Sequence, residues 1–156
     1  MPEHLFLCDN MLGRLAKYLR LLGFDTKYEK EIKDEELLRE AKDEDRIVIT
    51  RDTHLVKRKD AVGICILLTK NDVKSQLIEL NNAIPVFAKA APFTRCSVCN
   101  TLLVPITKEQ AEKNVPPYVL KTQNQFSYCP ACDKVYWPAT HIAKLTAFFK
   151  EILQKE

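Results

Sequence analysis

Two Cys-x-x-Cys pairs constrain this chain more than any other feature. "RCSVCN" supplies Cys96 and Cys99, "YCPACD" supplies Cys129 and Cys132, and 29 residues separate the pairs. Two residues between ligands form a tight knuckle that aims both thiolates at one ion, and four thiolates fill a tetrahedral shell. This stretch is therefore expected to close around a structural zinc ion as a zinc ribbon, with an unusually long connection lengthening its hairpin. Two disulfides or two redox pairs are the alternative. The N-terminus "MPEHLFLCDN" has no basic start and only a short apolar run, so a cytoplasmic, reducing location is expected, where disulfides are rare. Four thiolates leave no open position for a substrate, so this ion is expected to stabilise a fold with little core of its own. Cys8 and Cys65 stand singly in "LFLC" and "GICILL" and read as small core residues.

Ahead of the cysteine pairs the chain alternates strand and helix patterns. "HLFLC" is followed by "NMLGRLAKYLRLLG", in which Met11, Leu12, Leu15, Ala16, Leu19 and Leu22 share a helical face and Gly23 is a stop. "TKYEK" reads as a weak strand, "DEELLREAKDED" as a helix with Leu37, Leu38 and Ala41 inward, and "RIVIT" as a strand. "VGICILL" reads as a strand, "DVKSQLIELNNA" as a helix and "IPVFA" as a further strand. Strands alternating with long helices imply crossover connections and a parallel sheet. Runs as apolar as "GICILL" fit a sheet covered on both faces. The expected fold is three-layer α/β with a mostly parallel sheet over residues 1–91, followed by the ribbon and a C-terminal helix over 92–156. Prolines gather after Pro92, where the helical pattern stops.

A composition of 46% hydrophobic and 29% charged residues excludes a disordered chain. No run approaches the length of a membrane helix, so no membrane partner is expected. The net charge of +3 is too small to identify a nucleic-acid binder, and any such surface has to be local.

Local charge is informative. In a parallel sheet the functional crevice lies at the carboxyl ends of the strands. Asp9 directly follows "LFLC", Asp52 follows "IVIT" by one residue, and Asp34 opens the helix after the second strand. Such carboxylates suit a hard Mg²⁺ or Mn²⁺ ion, which takes oxygen ligands and keeps positions for water and phosphate. Helix capping is the competing role for each of them. Asn10, Arg14, Lys17 and Arg20 form a basic stripe opposite the apolar face of the first helix, either a solvated face or a seat for a phosphate backbone. Tyr136 and Trp137 in "KVYWPATH" either stack on unpaired bases, with Lys134 near a phosphate, or pack the ribbon against the α/β part. His141 reads as a surface or RNA contact.

The motifs "CDNMLGRLAKYLRLLGFDT", "KDEELLREA", "RIVITRD", "RCSVCN" and "YCPACDKVYWPATH" occur in the order found in the Mut-seven C-terminal ribonuclease domain family, which the chain resembles over nearly its whole length. The resemblance implies a PIN-like nuclease fold joined to a zinc ribbon, and a metal-dependent ribonuclease acting on RNA with no organic cofactor. It implies Asp9, Asp34 and Asp52 as catalytic residues holding Mg²⁺ or Mn²⁺, with Arg14 and Arg51 on phosphate. It also implies Cys96, Cys99, Cys129 and Cys132 on zinc. Related proteins often carry an acidic residue where this chain has His54, which leaves Glu35 and Asp60 as candidates for a fourth acidic ligand. Ala139 stands where the family tends to glycine. The rival function is a non-catalytic RNA-binding module of processing or ribosomal machinery; a toxin-type nuclease with a bound antitoxin is a third.

Overall fold

The computed structural model describes residues 4–138 and, beyond them, Lys144, Ala147, Phe148, Lys150 and Glu151, all five helical. Ala139 and His141 lie outside the described residues.

Four short strands form a fully parallel sheet: β1 (Leu5–Cys8), β2 (Asp25–Tyr28), β3 (Ile47–Thr50) and β4 (Cys65–Leu67), in the order β2-β1-β3-β4. Side chains alternate across such a sheet. Phe6, Cys8 and Ile49 face one layer of helices, α1 (Gly13–Leu21), α4 (Val73–Ala83) and α5 (Val86–Lys89). Leu7 and Val48 face the other, α2 (Asp34–Glu44) and α3 (Thr53–Val56). The three-layer expectation therefore holds. At the sheet edge β4 is only half-buried, so "GICILL" is less enclosed than its apolarity suggests.

Two local expectations are corrected. "IPVFA" is helical: Pro85, which has no N–H for a ladder, sits at the N-cap of α5, and the N–H of Phe87 bonds Asn81 Oδ1 at 3.1 Å. Met11 is 59% exposed, because α1 begins at Gly13 and Met11 belongs to the preceding turn. The connection between the cysteine pairs is the expected lengthened hairpin, with its two strands paired antiparallel and helices filling the insertion. It carries β5 (Val104–Ile106), α6 (Lys108–Ala111) and α7 (Pro117–Thr122) before β6 (Phe126–Cys129) and β7 (Lys134–Tyr136). These strands form an antiparallel sheet β5-β6-β7, and Ala111, Val115, Val119 and Phe126 make a small core beside it.

The ribbon docks at the start of β2 and the end of α1. Asn100 donates from Nδ2 to Asp25 Oδ1 (2.7 Å) and accepts the Thr26 N–H at Oδ1 (3.0 Å), pairing part of the open edge of β2. Arg46 and Arg95 converge on the same aspartate. Burial alone would raise the Asp25 carboxyl, but hydrogen bonds from Arg46 and Asn100 and the Arg46 and Arg95 charges hold it below the usual carboxylate range. Gly23, at φ 92°, lies beneath the chain leading into the ribbon. A Cβ there would meet the Ala91 carbonyl oxygen at 2.2 Å.

Candidate functional site

The strand order contains one switch point. The chain leaves β1 for β2 on one side, then crosses back to place β3 on the other, so the crevice of this sheet opens between the carboxyl ends of β1 and β3. Asp9 and Asp52 flank it. The register pairs Cys8 with Ile49, and the Asp9 N–H continues the ladder to the Ile49 carbonyl at 3.1 Å.

Asp9 is buried, with its carboxylate held from two directions. Met11 donates its N–H to Oδ1 at 2.9 Å, and the Thr50 hydroxyl donates to Oδ2. The same hydroxyl accepts the Asp52 N–H at 2.9 Å, so Thr50 ties the two strand ends together. Sequence reading missed Thr50. Its only signal is a hydroxyl closing an otherwise aliphatic strand, "IVIT", at a position buried in the fold.

The capping question resolves differently for each carboxylate. Asp52 does cap α3, and the His54 and Leu55 N–H groups both fall on Oδ1 (2.8 and 3.4 Å). Asp34 is not a cap: Lys33 occupies that position, and Asp34 is exposed in the first turn of α2, at the same edge of the sheet. Glu35 is exposed beside it, whereas Asp60 is ion-paired with Arg58 at 3.0 Å. The loop after β4 brings a further carboxylate to this edge, Asp72, which caps α4 through Ser75.

Cations gather at this edge too. Arg51 donates from Nη2 to Asn71 Oδ1 at 2.5 Å, while its buried Nε has no hydrogen-bond partner. Arg14 and Lys17 are exposed on α1. Arg20 leaves the expected stripe. It is buried and donates to Thr26 O (2.8 Å), Ser97 O (3.3 Å) and Val98 O (3.0 Å), binding the first cysteine knuckle to α1. A helical stripe read at 3.6 residues per turn could not show that its last member meets another part of the fold.

At the far end of α1, the Sγ atoms of Cys96, Cys99, Cys129 and Cys132 all lie within 4.8 Å of one another. Among the described residues this is the one group of three or more potential ligands drawn so close; the three aspartates share an edge without closing to that spacing. All four cysteines are free thiols. Cys96–Cys132 is 3.9 Å and Cys99–Cys129 is 3.4 Å, bracketing the roughly 3.8 Å expected for sulfurs about 2.3 Å from a tetrahedral zinc. The knuckles repeat one design: Asn100 and Asp133, each following a pair, adopt φ 73° and 56° and donate their N–H to the Cys96 and Cys129 carbonyls. The Thr101 hydroxyl draws Cys99 down to about 6, whereas hydrogen bonding to Cys99, burial and Cys96 push Cys132 up to about 12. Thiolates crowded so closely repel, and a divalent cation relieves that repulsion. These residues fit a metal such as zinc.

Trp137 is half-buried against the ribbon's small core and also borders a groove toward α1 and α4. No helix among the described residues is long and apolar enough to cross a membrane.

Comparison with curated proteins and with solved structures found no match. The family comparison, in contrast, spans residues 4–149, taking in both the crevice at β1 and β3 and the four-cysteine cluster. The chain belongs to the Mut7-C RNAse domain family.

Proposed function

We propose that the protein is a metal-dependent ribonuclease whose PIN-like α/β part, residues 1–91, hydrolyses RNA phosphodiesters at the β1/β3 crevice, while the ribbon, residues 92–156, holds zinc and supports RNA binding. The observation that carries this reading is the pair of aspartates at the switch point joined through Thr50. Two hard carboxylates in a rigid frame match a Mg²⁺ or Mn²⁺ ion, which needs only one or two of them and keeps several waters. When bound, such an ion supplies charge stabilisation and an activated water for in-line attack at phosphorus.

The chain's own residues provide the rest. Asp9, fixed by Met11 and Thr50, presents a carboxylate whose direction costs no reorganisation. Asp52 contributes the second, and Asp34 acts through the hydration shell at the same edge. Arg51, with its unpartnered Nε, and Arg14 orient the phosphate, with Lys17 following along the backbone. The first turn of α1, which has no side-chain cap, opens its N–H groups on the same side and favours an anion there.

A labelled single-stranded or hairpin RNA incubated with Mn²⁺, Mg²⁺ or neither tests the reading, with Asp52→Asn purified alongside. Metal-dependent products that fall roughly a hundredfold or more in the variant are expected. Equal traces from both proteins would overturn catalysis and promote the RNA-binding module.

A further inference from the structure

The groove bordered by α1, α4 and the ribbon has a volume of about 410 Å³, and among the described residues its charged lining is entirely basic: Lys17, Lys74, Lys134 and Lys144. The Tyr136 and Trp137 rings line it from the ribbon, and its floor includes Leu21 and Leu77. Lys134 Nζ lies 5.8 Å from the centroid of the Tyr136 ring, and Lys74 Nζ lies 5.2 Å from that of Phe148, so two of the lining cations each stand beside an aromatic ring. Lysines alone would attract any anion. Aromatic faces between them add a selection for flat, unsaturated groups, which is the composition of a platform for unpaired bases.

The groove starts close to the catalytic edge along the chain, since its lining residues Val73 and Lys74 directly follow Asp72. Arg14, exposed in the first turn of α1, is one turn from Lys17 and Tyr18 on the same helix, about 5 Å along its axis. We infer that this groove is a channel for single-stranded RNA, holding unpaired nucleotides that flank the bond cut at the β1/β3 crevice. This rests on the ribonuclease reading for the identity of the strand. It adds a substrate class, RNA unpaired beside the scissile bond, and assigns Lys74, Lys134 and Lys144 to phosphate contacts. A duplex keeps its bases stacked inside and cannot offer them to the rings.

Trp137 is the sole tryptophan and reports directly on the groove. The zinc-loaded protein, with no Mg²⁺ or Mn²⁺ added, is titrated with a 12-nucleotide single strand and with a 12-base-pair RNA duplex while its fluorescence is followed. Saturable quenching by the single strand, at least tenfold weaker for the duplex, is expected. Lys74→Glu/Lys134→Glu should weaken single-strand binding about tenfold and reduce the salt slope by about 1.4, the value for two lost phosphate contacts. Lys74→Gln/Lys134→Gln serves if charge reversal impairs folding. Absence of quenching, equal quenching by duplex, or unchanged affinity in the double variant would overturn the channel. Cleavage without quenching would sink the channel and spare the nuclease reading; groove-dependent binding with no metal-dependent cleavage would do the reverse.

Discussion

The α/β part and the ribbon of this molecule differ in what they draw together at their centres. Among the described residues, the α/β part buries fourteen in one apolar cluster and seven in the other, on the two faces of its sheet. The ribbon's cluster has four buried members among the described residues, and the Sγ atoms of its four paired cysteines lie within 4.8 Å of one another. Hydrophobic burial scales with area, so it serves long amphipathic helices on a sheet, whereas a short antiparallel unit needs a few strong bonds. The difference also separates roles. A filled thiolate shell is chemically closed, while the crevice in the apolar half keeps carboxylates on its rim.

The comparison breaks hardest at the thiolates. Cys129→Ser should abolish stoichiometric zinc and unfold the ribbon, since metal binding in such small units supplies about 10 kcal/mol or more. Proteolysis followed by mass spectrometry should find cuts confined to the segment between the cysteine pairs, with most helical circular dichroism retained. Loss of the whole fold would show that the α/β part depends on its neighbour.

A subtler substitution probes the apolar half. Thr50→Val is nearly isosteric but removes the hydroxyl that bonds Asp9 and receives the Asp52 N–H. Activity or Mn²⁺ affinity should fall 10- to 100-fold, as for other groups that orient ligands. Unchanged activity would mean that the strand ends hold their carboxylates without help.

The smallest effect lies where the halves meet. Asp25 has a depressed folded pKa, so its contribution is complete above the unfolded value near 3.9 and is lost as pH falls through the folded value. Asp25→Asn should cost about 1 kcal/mol at neutral pH and flatten the acid limb of stability below about pH 4. Denaturant midpoints at pH 7 and pH 3 measure both. An identical acid limb in the variant would move the sensitivity elsewhere, to the thiolates first.

Much of this was legible beforehand because it is local. The apolar run "LFLC", the β-branched run "IVIT", the 3.6-residue spacing of Leu12, Leu15 and Leu19, and the two cysteine knuckles each depend on a few neighbouring residues. "IPVFA" is ambiguous because a five-residue apolar run satisfies either period, and Pro85 at the N-cap with Asn81 accepting the Phe87 N–H decides it. Arg20 leaves its stripe unseen because two of its three acceptors, Ser97 and Val98, lie more than seventy positions away.

The sequence by itself determined that strands alternate with helices, that four cysteines stand in two closely spaced pairs, and that Asp9 and Asp52 end strands. Tertiary structure alone decided that β1 and β3 are neighbours across the switch point, which makes two separate strand ends into one edge. It also decided that Thr50 joins them and that Lys74 meets Lys134 across a groove. Strand order and the docking of one unit on another depend on contacts between distant parts of the chain, and such contacts leave no period or spacing for a linear pattern to reveal.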